Sequence, residues 1–358
     1  MVKKTYTDEQ RKMDAEQCRE ALNACLSKDY EKAKTLWESL SVEGNMLAKV
    51  DLALLHLREF IELSDFNFAI ELLQEASAAG LSNATNELAF IYENAVGTEK
   101  NLSLALQFYR ITADQGDARG MFNLGRFYLY GISTEQHTAN AMLWLGKAAH
   151  LDNTDACYWM GALYRDGQYI EPDPSMASNF YERGASLGHS YCQNKLGIMY
   201  RDGNGRDENL EQAFALFELS ANSGNEWGQY LLACMYIEGS YQPINLDAAR
   251  ELLTLSARHG LAEAQLELGV IYGKGQGVPV DRIKSIEMYK LAAEQNSATA
   301  HFNLGIIYLN GEGIKQDIES GIQHMSQAAS LGMDEAKEVL VMLKNDHGLE
   351  SDETPTLQ

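Results

Sequence analysis

Proline, cysteine and basic residues are all scarce in this chain. Five prolines in 358 residues leave long stretches in which nothing interrupts a helix. The five cysteines fall at unrelated positions, so no disulfide framework is expected and a reducing, cytoplasmic location is. Lys and Arg number 29 against 51 Asp and Glu, a formal net charge of −22. That balance disfavours nucleic acid, whose binding depends on cations displacing counterions from phosphates; it suits a partner of basic character. No apolar run approaches the roughly 20 residues of a membrane-spanning helix. The opening stretch MVKKTYTDEQRKMD has lysines but no apolar segment behind them, unlike a secretory signal.

Catalytic signatures are scarce too. Eight histidines are scattered, with no H-E-x-x-H and no C-x-x-C to hold a metal. Gly184-Ala185-Ser186-Leu187-Gly188 matches the G-x-S-x-G string, but that elbow needs a strand before it and a helix after it. Here it closes a helical segment, as Ala-Ala-Ser-Leu-Gly does at 328–332. Gly273-Lys274-Gly275-Gln276-Gly277 lacks the spacing and final Lys-Ser/Thr of a phosphate loop. No Ser-x-x-Lys occurs. The expectation is a protein without catalytic, cofactor or metal residues.

What the chain does have is a period. A Leu-Gly-x-x-Tyr unit recurs in steps of 36 residues, with its glycine at Gly125, Gly161 (after Met160), Gly197, Gly269 and Gly305, and Ala53, Ala89 and Ala233 in the same slot elsewhere. Eight blocks align without a gap from 45 to 332. Five residues before this slot stands a small side chain (Ala48, Ala84, Gly120, Ala156, Cys192, Gly228, Ala264, Ala300), which lets helices approach closely. Apolar residues three and four apart make this segment an amphipathic helix. A glycine six residues past the slot, from Gly131 to Gly311, suits a left-handed helix end. The second helix opens at Asp65, Asn101, Asp173, Asn209, Asn245, Asp281 or Asp317, each able to cap it, and only His137 breaks that series. It closes on Gly80, Gly116, Gly188, Gly224, Gly260 and Gly332. Helix pairs of this kind bury their apolar faces only by stacking. The fold class is therefore all-α, a right-handed α-solenoid of antiparallel helix pairs.

These elements resemble the Sel-1-like repeats, relatives of the tetratricopeptide repeat. The resemblance implies an adaptor or scaffold, commonly bacterial, with no catalytic residues shared across the family. The cysteine-rich secreted branch of the family is a poor match. The domain reading has four parts: 1–44, a degenerate capping pair in which Asp29, Ala33 and Gly44 keep their slots; 45–332, eight repeats; 333–346, a closing helix with Ala336 in the small slot; and 347–358, an acidic, disordered tail.

The resemblance further implies that the first helix of each pair lines the concave face. Six and two residues before the glycine slot the sequence varies freely, so these positions are expected to be exposed. They read Arg119 and Asn123, Asp155 and Trp159, Tyr191 and Lys195, Trp227 and Leu231, Glu263 and Glu267. Arg119, Asn123, Trp159, Tyr191, Lys195 and Trp227 form the candidate surface for a protein or peptide partner, since Trp, Tyr and Arg dominate interface energetics. The other reading of the three large rings is packing between repeats. Two rival functions use the same surface: an immunity or inhibitor protein against a basic toxin, or an effector exported without a signal peptide. A third rival is a hydrolase with an unrecognised site.

Overall fold

Caps and left-handed turns punctuate this chain. The computed structural model describes residues 6–61 and 64–347, and among them are twenty helices and no strand. The chain divides into two compact units, 1–187 and 188–358. The first holds α1 (Asp8–Gln17), α2 (Arg19–Leu26), α3 (Tyr30–Val42), α4 (Met46–Leu57), α5 (Phe66–Ala78), α6 (Ser82–Asn94), α7 (Leu102–Asp114), α8 (Ala118–Tyr130), α9 (Thr138–His150), α10 (Thr154–Asp166) and α11 (Pro174–Ser186). The second holds α12 (Ser190–Asp202), α13 (Leu210–Asn222), α14 (Glu226–Glu238), α15 (Leu246–Arg258), α16 (Ala262–Lys274), α17 (Arg282–Glu294), α18 (Ala298–Asn310), α19 (Ile318–Ser330) and α20 (Asp334–His347). From α4 to α19 the helices pair in sequence order, which makes the protein an all-α solenoid.

Each expected second-helix cap accepts from the backbone N–H three residues on, as Asp65 does from Phe68 and Asn209 from Gln212. His137 joins the series: its Nδ1 accepts from the Asn140 N–H at 3.3 Å. An imidazole ring nitrogen takes the place of the Asp or Asn side-chain oxygen there. The helix-ending glycines from Gly131 to Gly311 have φ between 63° and 71°. In the first two repeats Glu59 (φ 53°) and Ala95 (φ 60°) adopt the same left-handed conformation without being glycine, which costs about 1 kcal/mol or more each. Asp152 and Asn296, both at φ 61°, stand where a second-helix glycine is missing.

The repeated glycine is a contact between the two helices of one pair. A Cβ built on Gly161, Gly197 or Gly269 would lie 2.5 Å from the ring of Tyr181, Phe217 or Tyr289, each twenty residues on. Leucine takes the place of the ring at Leu73, Leu145 and Leu253, opposite Ala53, Gly125 and Ala233, so the slot needs a small residue in either case. The Leu-Gly-x-x-Tyr tyrosine is structural as well: its carbonyl accepts from the second-helix cap N–H, at 2.8 Å for Tyr92 and Asn101. Its ring stacks on that helix, as Tyr164 does on Phe180 at 5.8 Å.

The degenerate block departs from expectation in one respect. Its first helix is split at Cys18 into α1 and α2. Asp14, 1% exposed, holds the seam: it accepts from the Tyr6 hydroxyl at 2.6 Å and from the Met46 N–H at 3.0 Å, at the start of α4. All five cysteines are free. Ala336 of α20 is buried. The acidic tail expected from 347 lies, from 348 on, outside the described residues, as does the start of the chain through residue 5.

Candidate partner-binding groove

In the first unit, α6 and α8 are the first helices of neighbouring pairs, and between them runs a groove of 310 Å³. Phe90 forms one wall and is 51% exposed; Phe122 forms another. The Arg126 guanidinium reaches both carboxylate oxygens of Glu93 at 2.6 and 2.8 Å and the Asn123 Oδ1 at 3.3 Å. Tyr109, from α7 behind the groove, donates its hydroxyl to Glu93 at 2.8 Å. Burial, with the Glu93 charge beside it, pushes the Tyr109 phenol far above its ordinary range, so it stays a donor. Arg119 lies at the rim, exposed, and reaches Glu87 at 3.4 Å. The charges in the groove are thus paired, and the unpaired features are rings and amides. Among the described residues no three His, Cys, Asp or Glu side chains gather as metal ligands.

The expected surface is distributed as follows. Arg119 and Asn123 line the groove; Trp159 adjoins it, edge-on to Phe122 at 6.5 Å and to Tyr130 at 5.7 Å. Tyr191, Lys195 and Trp227 belong to the second unit, where the exposed Tyr191 donates to Glu226 at 3.2 Å and Trp227 meets Tyr230 edge-on at 6.0 Å. The expectation of uniform exposure fails at several positions. Leu231 is 7% exposed, and Asn123, Trp159, Lys195, Trp227 and Glu267 are half-buried. The position two before the glycine sits at the edge of the helix–helix seam, so part of its side chain is always covered. Burial accordingly pushes the Glu267 carboxyl up, and Asp51, in the same slot of the first repeat, to about 6. Asp51 lies close enough to Cys18 and Cys25 to raise both thiols further.

Phe90, Glu93, Arg126 and Asn86 were not anticipated. Phe90 and Arg126 both stand one residue after the glycine slot, and Tyr130 stands five after it. Positions −6, −2, +1 and +5 are four, three and four apart and so share one helix face. That spacing was the available signal: the variable stripe extends a full turn further than its first two positions.

The Sel1 repeat family model matches this chain eight times, at 47–81, 82–117, 118–153, 154–189, 190–225, 228–261, 262–297 and 298–333. Among solved structures the chain is similar to a protective antigen of uropathogenic Escherichia coli strains that displays a Sel1-like repeat fold. The two are 26% identical, with TM-score 0.63, over 90% of this chain and 77% of that one. It is also similar to a Sel1 repeat protein from Oxalobacter formigenes, at 24% identity and TM-score 0.64, over 86% of this chain and 89% of that one. No curated protein matches it.

Proposed function

The chain belongs to the Sel1 repeat proteins, which generally mediate protein–protein interactions, and from that premise we propose that it is a non-catalytic adaptor holding a segment of a partner protein in the groove between α6 and α8. One observation carries the reading. In a scaffold whose buried slots are nearly uniform, this face places an exposed ring, Phe90, beside Phe122, Asn123 and a Glu93–Arg126 pair that is already neutralised. An exposed aromatic next to satisfied charges loses water on docking without stranding a charge, the arrangement typical of interface hot spots. The half-buried Trp159 supports Phe122 from the side and belongs to the same surface.

The partner is basic in this reading. The net charge of −22 sets a negative field, and the slot two before the glycine holds Asp51, Glu87 and Glu267. Such a field steers encounter more than it adds affinity. The test is to recover the partner by cross-linking in native lysate, purify it, and measure its binding to Phe90→Ser and Arg119→Glu variants. Phe90→Ser is expected to weaken binding by about 1–3 kcal/mol, and added salt to slow association. Unchanged binding by Phe90→Ser with the melting curve intact would move the binding surface elsewhere.

A further inference from the structure

Three repeats apart, this chain breaks its own packing rule twice in the same way. Three residues before the glycine slot the blocks read Val50, Asn86, Phe122, Tyr158, Asn194, Tyr230, Leu266 and Phe302, apolar or aromatic except for two asparagines. Both asparagines are buried, Asn86 at 5% and Asn194 at 3% exposure. Each is accompanied by a buried hydroxyl in the following helix (Thr112, Ser220) and by glycine in the next small slot (Gly120, Gly228), where every other repeat has alanine or cysteine. The glycines are not incidental: a Cβ at either would collide with the Thr112 or Ser220 hydroxyl. The hydroxyl alone is not diagnostic, since the buried Ser256 holds the same slot between Tyr230 and Ala264, but asparagine and glycine coincide only in these two repeats, 108 positions apart.

Neither amide is satisfied. The Thr112 hydroxyl lies 2.8 Å from Asn86 Oδ1 and 3.1 Å from the Tyr109 carbonyl, and Asn86 Nδ2 has no partner among the described residues. Asn194 donates from Nδ2 to Asn225 Oδ1 at 2.8 Å, and its Oδ1 has none. Leaving such a group unpaired inside a protein is costly, whereas an apolar side chain of the same shape would be near neutral. Asn86 also lines the groove between α6 and α8, beside Phe90 and Asn123.

We propose that Asn86 is a subsite for the main chain of an extended peptide, its amide edge pairing with a peptide group while Phe90 and Phe122 take the adjoining side chain. A peptide group fits because it carries both a carbonyl and an N–H, so it complements the Asn86 amide whichever way the shared Thr112 proton turns it. This deepens the groove reading and rests on it.

The probe is a displayed library of random 12-residue peptides, selected on the full-length protein. Selected peptides that bind wild type and lose affinity at Phe90→Ser establish groove binding. With those peptides Asn86→Leu is expected to weaken binding about tenfold while raising the melting midpoint, since Thr112 keeps the Tyr109 carbonyl as partner. An ester placed at each main-chain position in turn should cost affinity at one position in wild type and nothing further in Asn86→Leu. Asn194→Leu should likewise raise the melting midpoint. Groove binding that Asn86→Leu leaves unchanged would overturn the amide subsite and keep the groove. Selection that yields no peptide sensitive to Phe90→Ser would overturn the groove reading itself, and the subsite with it.

Discussion

Two close approaches of helices occur in this protein, and they differ in kind. Within a pair, the glycine or alanine of Leu-Gly-x-x-Tyr meets an apolar side chain twenty residues on, and this recurs in every repeat, from Ala53 with Leu73 to Gly305 with Met325. Between pairs, the small slot at Gly120 and Gly228 meets the hydroxyls of Thr112 and Ser220, in the two repeats whose Asn86 and Asn194 each keep one unpaired amide atom. The periodic contact is apolar and complete; the aperiodic one is polar and incomplete. On the proposed reading, stability resides in what repeats and binding in what does not.

Breaking the periodic contact has the largest effect. Gly197→Leu sets a side chain against the Phe217 ring where even a Cβ lies at 2.5 Å, so urea melts should show a loss of about 3 kcal/mol, at the upper end of overpacking costs. Trp159→Ala comes next, at about 2 kcal/mol, because the ring is half-buried against Phe122 and Tyr130 rather than fully in the core. It should also weaken partner binding. A variant that lost affinity at unchanged stability would make Trp159 purely a contact residue.

Asp51 sharpens the comparison from the side of charge. Burial raises its folded-state pKa to about 6, above its unfolded value, so the folded state holds the proton more tightly. Ionised Asp51 is then destabilising at neutral pH, and that penalty is relieved as pH falls from about 6 towards 4. Asp51→Asn should stabilise by on the order of 1–2 kcal/mol at pH 7 and by almost nothing near pH 4, measured by melts across that range. The smallest expected effect is at Ala95, whose φ of 60° suits glycine better. Ala95→Gly should gain up to about 1 kcal/mol, against the usual penalty for glycine.

The scaffold was legible in the sequence because its chemistry recurs. The glycine slot, the Asp and Asn caps and the terminal glycines each appear often enough that the exceptions stand out, and the structure explains several: His137 caps with Nδ1, and Asp152 and Asn296 accept a left-handed turn. The groove was only half legible. Arg119, Asn123 and Trp159 were picked out by variability, but a purely exposed stripe was expected, and Leu231 and Lys195 show that these slots dip into the helix seam. Asn86 was missed because its slot is apolar or aromatic in six of the eight repeats. A polar residue in such a slot reads as noise in one repeat and as a pattern only when compared across three. Pairings such as Arg126 with Glu93 join residues 33 positions apart on different helices, which the spacing within one repeat does not reveal.

The separation of stability from binding is tested most directly by thermal melts of Asn86→Leu and Asn194→Leu beside wild type. If Asn86 is kept for a ligand, its leucine variant removes a buried amide with an unpaired Nδ2 and should raise stability by about 1 kcal/mol, read as a rise of a few degrees in the melting midpoint; Asn194→Leu also gives up the bond to Asn225 and should gain less. A fall in the midpoint for both variants would show that the asparagines hold the scaffold together, and would contradict the division between periodic stability and aperiodic binding.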